Sequence, residues 1–218
     1  MTVTRRTVLA TGVVAGTAAI AGCTDPLRGT LSSSPATVSE EARSAVGYDE
    51  HVVDELIVDH PVGLFGLERT IEVINWYAEY DRAISLEGLG LTRLQAAVFI
   101  VLSTPQVSVL GRTHNPVGEY STDELVALIQ ERYDGLEIER AVDEETATVL
   151  DAETTVVRYR AQARLVEAGR RLDVTLHVSE PVAHGDDFVL CVAVYPRLLG
   201  VDVEASSVRT LLEGVRHE

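Results

Sequence analysis

The chain has 218 residues, with 34 acidic and 18 basic side chains and a formal net charge of −16. Every basic residue is arginine; there is no lysine. This balance argues against nucleic-acid binding, which needs a basic footprint.

The N-terminal segment reads as an export signal. Thr4-Arg5-Arg6-Thr7-Val8-Leu9 places two adjacent arginines ahead of an uncharged stretch from Thr7 to Gly22, and no acid precedes Asp25. This is a positive n-region, a short apolar h-region and a small-residue cleavage site. The uncharged stretch, about 16 residues long, is shorter than the ~20 a spanning helix needs. Its mild hydrophobicity behind Arg5 and Arg6 fits export by the twin-arginine translocase. Ile20-Ala21-Gly22-Cys23 resembles a lipobox. The resemblance implies cleavage before Cys23, a lipid on its sulfur, and a membrane partner through that anchor on the extracellular face. The alternative is an uncleaved anchor helix with an incidental cysteine. Loss of residues 1–22 removes two arginines and no acid, so the mature chain carries −18.

Residues 23–46 read as a flexible, lipidated tether. Pro26, Gly29, Ser32, Ser33, Ser34 and Pro35 dominate it, with a weak helix start at Ser39. As a coil of about 20 residues it would span ~25 Å. From residue 47 to 218 the chain reads as a single domain without repeats. Residues 51–58 and 67–79 are expected strands, and the apolar run Leu94–Leu102 favours a strand through Val98-Phe99-Ile100-Val101. A helix is expected after the capping box Ser121-Thr122-Asp123-Glu124, with Leu125, Leu128, Ile129 and Tyr133 on one face and Gly135 as its stop.

Residues 154–166 and 171–179 alternate strictly and are expected to pair across a turn at Glu167-Ala168-Gly169-Arg170. The expected register sets Leu165 against Leu172, Ala163 against Val174 and Arg164 against Asp173. A turn at His184-Gly185-Asp186-Asp187 leads to an apolar strand over 188–195, which holds Cys191 as a buried, unreactive thiol. A terminal helix is expected to bury Val208, Leu211, Leu212 and Val215, with Arg216 and His217 at its negative end. The element order reads as α+β, an antiparallel sheet flanked by helices.

No phosphate loop, dinucleotide motif, Cys-x-x-Cys, His-Glu-x-x-His or nucleophile elbow occurs. No catalytic residue, metal ligand or cofactor is therefore assigned. His184 with Asp186 and Asp187 reads as a polar turn in preference to a cation site. Gly88 and Gly90 suggest a flap over the sheet. Arg158, Arg160 and Arg164, with His177 on the neighbouring strand, share one face. They form either a face that binds an anionic ligand or the anionic lipid surface, or an internal ion-pair network with Asp173 and helix carboxylates.

The element order resembles the Mog1/PsbP-like architecture. The acidic, lysine-free composition resembles that of proteins from salt-saturated habitats, where carboxylates keep a chain soluble. Leu102-Ser103-Thr104-Pro105, Leu110-Gly111-Arg112, Asn115-Pro116-Val117-Gly118, His184-Gly185-Asp186-Asp187-Phe188-Val189 and Val194-Tyr195-Pro196 resemble a family of haloarchaeal lipoproteins. That resemblance implies no activity. The expectation is a membrane-anchored extracytoplasmic lipoprotein acting as a non-enzymatic binding or accessory module. The alternatives are an anion or small-ligand binder using the arginine face, and a hydrolase with an unrecognised site.

Overall fold

The computed structural model describes residues 30–217 apart from 65–66, 87–90, 107, 110–111, 114–115, 133–134 and 166–169. The export signal with Arg5, Arg6 and Cys23, the glycines Gly88 and Gly90, His114, Tyr133 and most of the turn expected at 167–170 lie outside the described residues.

Residues 30–46, read from sequence as tether, form β1 (Thr30–Ser32), β2 (Ala36–Val38) and α1 (Glu40–Val46). Ala36, Val38 and Ala42 are buried, so this segment belongs to the domain. Ser39 caps α1 by accepting the Ala42 N–H, and Gly47 ends it with φ +73°, a left-handed conformation that glycine adopts without penalty.

Three long strands follow: β3 (Asp49–Leu64), β4 (Leu67–Leu86) and β5 (Leu91–Pro105). After the two-residue strands β6 (Ser108–Val109) and β7 (Arg112–Thr113) comes α2 (Thr122–Arg132). Its capping box forms as the sequence specifies: Ser121 N–H donates to Glu124, and Glu124 N–H donates to Ser121 Oγ. The remaining strands are β8 (Leu136–Val149), β9 (Ala152–Leu165), β10 (Arg170–Ser179), β11 (Val182–His184) and β12 (Asp187–Pro196). A 3-10 turn at Arg197–Leu199 leads into α3 (Val201–Glu213), and the chain closes with β13 (Val215–His217).

The main sheet has nine strands. Its path runs β1-β4-β5-β12-β10-β9-β8, with β3 on β4 and β11 on β12. β1 lies parallel to β4, so the sheet is mixed. The expected α+β, Mog1/PsbP-like arrangement of an antiparallel sheet flanked by helices is therefore corrected: most of the described residues are in strands, against three α-helices. The excess has physical causes. β3 and β8 are edge strands, where charge and proline are tolerated. Such strands carry little of the alternation that marks a half-buried strand. The terminal helix also stops at Gly214, and Val215–His217 pair with β2 instead of extending the helix.

The β9–β10 pairing differs from the expected register by two residues. Leu165 lies opposite Arg170, Leu172 opposite Ala163, and Arg164 opposite Arg171. β9 ends at Leu165 and β10 begins at Arg170. A two-residue offset leaves every side chain on its expected face.

Helices cover both faces of the sheet. On one, Val208, Leu211 and Leu212 of α3 pack with Ala42 of α1 onto Ala78, Tyr80, Phe99, Val101, Val189, Cys191 and Tyr195. On the other, Leu125 and Val126 of α2 pack onto Val157, Tyr159, Leu176, Val178 and Leu190. β12 is central and apolar on both sides, as a doubly covered strand requires. Among the described residues no helix is long and apolar enough to cross a membrane.

Candidate functional site

The α3 face changes character along β9. Val156 is buried in the core, Arg158 and Arg160 are half-buried, and Arg164 is exposed. Strict alternation puts all of them on one side, and α3 covers only the first part of the row.

A polar layer marks the transition. Arg82 on β4 pairs with the buried Glu204 of α3, donates to the Val46 carbonyl at 3.0 Å, and lies 5.1 Å from the centroid of the Tyr48 ring. Arg158 pairs with Asp143 of β8. Between them, His177 is 2% exposed, and its Nε2 lies 2.9 Å from the Tyr195 hydroxyl. Burial, and then the neighbouring Arg158 charge, push the His177 pKa down to about 4, so the ring is neutral near pH 7. Burial pushes Tyr195 up to about 12. Thus His177, expected on the arginine face, shares its parity but is sealed off from any ligand.

Beyond this layer the arginines are uncovered. Arg160 lies directly opposite Arg140 of β8, and Arg164 directly opposite Arg171 of β10. Arg171 is held by a two-pronged bond to Glu137, with both contacts at 2.9 Å. Gln162 donates to Glu139 at 3.2 Å. Arg140, Arg160 and Arg164 form no ion pair with any described residue. The internal ion-pair alternative therefore describes Arg158 and Arg171 but not Arg160 or Arg164. Asp173, its expected partner, lies opposite Gln162. Arg171 falls on this face by the alternation of its own strand but was not singled out from sequence, and Arg140 was missed because only strand pairing brings it here.

A second cluster lies at the opposite end of the sheet. The buried Asp187 accepts the Ser34 N–H at 2.8 Å and lies 3.0 Å from His217 Nε2. His217 Nδ1 lies 3.0 Å from His184 Nδ1. Ser103 Oγ, 3.4 Å away, approaches the same His217 nitrogen as Asp187. A catalytic triad needs the hydroxyl and the carboxylate on different ring nitrogens, so this is not one. Nor is it arranged as a metal centre. The ring centroids are 5.1 Å apart, so the two Nδ1 atoms point nearly head-on, as a shared N–H···N bond requires. Among the described residues no group of three or more His, Cys, Asp or Glu is placed to hold a metal ion. The cluster clasps β13, the β11–β12 hairpin and the segment entering β2. Cys191 is fully enclosed and burial raises its thiol to about 12, which leaves it unreactive.

Fold and site together define a β-rich domain with one large sheet, helices on both faces and an uncovered arginine end. The chain belongs to the DUF6517 family, a domain of unknown function, which covers residues 35–216. No curated protein matches the chain.

Proposed function

We propose that the chain is a haloarchaeal lipoprotein exported by the twin-arginine route, whose domain is a non-enzymatic module that binds an anion at its arginine end. The signal supports the location: Arg5 and Arg6, a short h-region, and Cys23 after small residues. The acidic, lysine-free composition supports the habitat.

One observation carries the binding reading. Two like-charged cross-strand pairs, Arg140–Arg160 and Arg164–Arg171, share this face on either side of Gln162, and three of their four members have no ion-pair partner among the described residues. Like charges directly opposite are destabilising. A chain with 34 acids and 18 arginines has ample carboxylates to pair with every arginine. Guanidinium groups suit carboxylate, sulfate or phosphate oxygens, and their contact bonds persist where salt screens longer-range forces.

The test is calorimetric titration of the mature protein with inorganic phosphate at constant ionic strength. Saturable binding is expected, weakened at least about tenfold, or ~1.4 kcal/mol, by the combined change Arg140→Gln, Arg160→Gln and Arg164→Gln. No saturable heat, or equal binding by the variant, overturns the reading. Intact mass of membrane-purified protein, with a Cys23→Ala control, tests the anchor; an uncleaved, unlipidated chain rejects it.

A further inference from the structure

Resting on that reading, we infer that the ligand is an extended acidic polysaccharide that lies along β9 and carries well-separated carboxylates or sulfates.

Spacing is the first argument. Arg160 and Arg164 are four residues apart on β9, about 13 Å at strand rise. Each has an arginine from a different neighbouring strand beside it, Arg140 from β8 and Arg171 from β10. The Glu137–Gln162 pair stands between the two arginine pairs. Two anionic groups on one chain reach both pairs, and linking them raises the effective concentration of the second.

Shape is the second. The 3-10 turn at Arg197–Leu199 sits against β10, and α3 follows it on this same face. A helix with its side chains is about 10–12 Å across, so α3 stands proud of the sheet it covers. The arginine end is therefore a step below that helix. A flat bilayer is held off by the step, whereas a slender polymer lies within it. Leu198 and Val203, 54% and 65% exposed, belong to the turn and to the first helical turn of α3, where they offer apolar contact to sugar ring faces.

Charge density is the third. Duplex DNA carries one negative charge per ~1.7 Å. That density has no counterpart in two arginine pairs set about 13 Å apart along β9. A sparsely charged polysaccharide matches the spacing.

The experiment compares four probes on the mature protein at one ionic strength: chondroitin sulfate, inorganic phosphate, a short DNA duplex, and vesicles of equal parts phosphatidylglycerol and phosphatidylcholine. Chondroitin sulfate is expected to bind at least about tenfold more tightly than phosphate, with Arg140→Gln and Arg164→Gln each weakening it. Phosphate binding as tightly leaves the anion reading intact and overturns the polysaccharide. Preference for vesicles or for DNA also overturns it, in favour of a lipid or nucleic-acid surface. Binding of none of the four removes both readings.

Discussion

The imidazole of His177 lies 2.9 Å from the Tyr195 hydroxyl, and both side chains are sealed in the sheet below α3. With its folded pKa near 4 and an unfolded value near 6.5, the unfolded chain binds the extra proton between those limits. This contribution to stability is whole above about pH 6.5 and declines as pH falls toward 4, by on the order of 3 kcal/mol in total. His177→Gln is expected to lack that part of the acid slope. Denaturation midpoints of both proteins from pH 7 to 4 check this; parallel profiles reject it.

The Arg82–Glu204 pair is buried on the Glu204 side and also satisfies the Val46 carbonyl. Arg82→Met leaves a carboxylate without its partner and is expected to cost about 3–5 kcal/mol. Adding Glu204→Leu should recover most of the loss, since two apolar groups need no partner. Denaturant unfolding of the two single variants and the double variant completes the cycle. A double variant as unstable as Arg82→Met refutes the account.

Gly214 and Gly185 are expected to reject alanine for different reasons. A Cβ on Gly214 would overlap that of Ala42 where α3 meets α1, an overpacking cost of about 1–3 kcal/mol. Gly185 has open space but φ +58°, so alanine there is penalised by backbone conformation, by about 1–2 kcal/mol. Asparagine tolerates that conformation. Gly185→Asn should therefore be milder than Gly185→Ala, whereas Gly214→Asn should be worse than Gly214→Ala. Thermal midpoints of the four variants decide the matter.

Asp187→Ala strips the Ser34 N–H and His217 of their shared acceptor. The expected cost is about 2–4 kcal/mol, because both donors are buried or nearly so. Hydrogen exchange should quicken at Ser34 and along β13 before it does along β12. Uniform acceleration across the sheet would show that the clasp is not local.

Arg160→Thr is expected to stabilise the free protein by a few tenths of a kcal/mol up to about 1, by relieving its opposition to Arg140. A residue kept at a cost to stability is typical of a site selected for something else. Melting in anion-free buffer checks the sign.

Parts of this structure were legible because their signals are local. The Ser121–Glu124 box and the alternation of β9 and β10 each lie within a few residues, and both formed. Leu165 and Leu172 were expected opposite one another, yet Leu165 pairs with Arg170 and Leu172 with Ala163, a register shifted by two. β8 was not foreseen: from Glu139 to Glu144 its side chains are exposed, so neither face records a core. Ala36, Val38 and Ala42 are small apolar residues among Ser and Pro, and only tertiary packing shows them to be core.

The site divides along the same line. Arg158, Arg160 and Arg164 could be read from one strand, whereas Arg140 and Arg171 join them only through strand pairing. His177 has the right parity, but no feature of its own strand reveals that α3 covers it. His217 lies 30 residues from Asp187 and 33 from His184, well beyond any helical or strand period.

Ala36 lies opposite His217, and Val38 opposite Val215. The domain is therefore nearly a closed ring, its two ends zipped along three residues. Tension applied at Thr30 and His217 would load the β1–β4 pairing at one edge of the main sheet together with this short ladder. A peptide linking the ends would turn that short ladder into a seam.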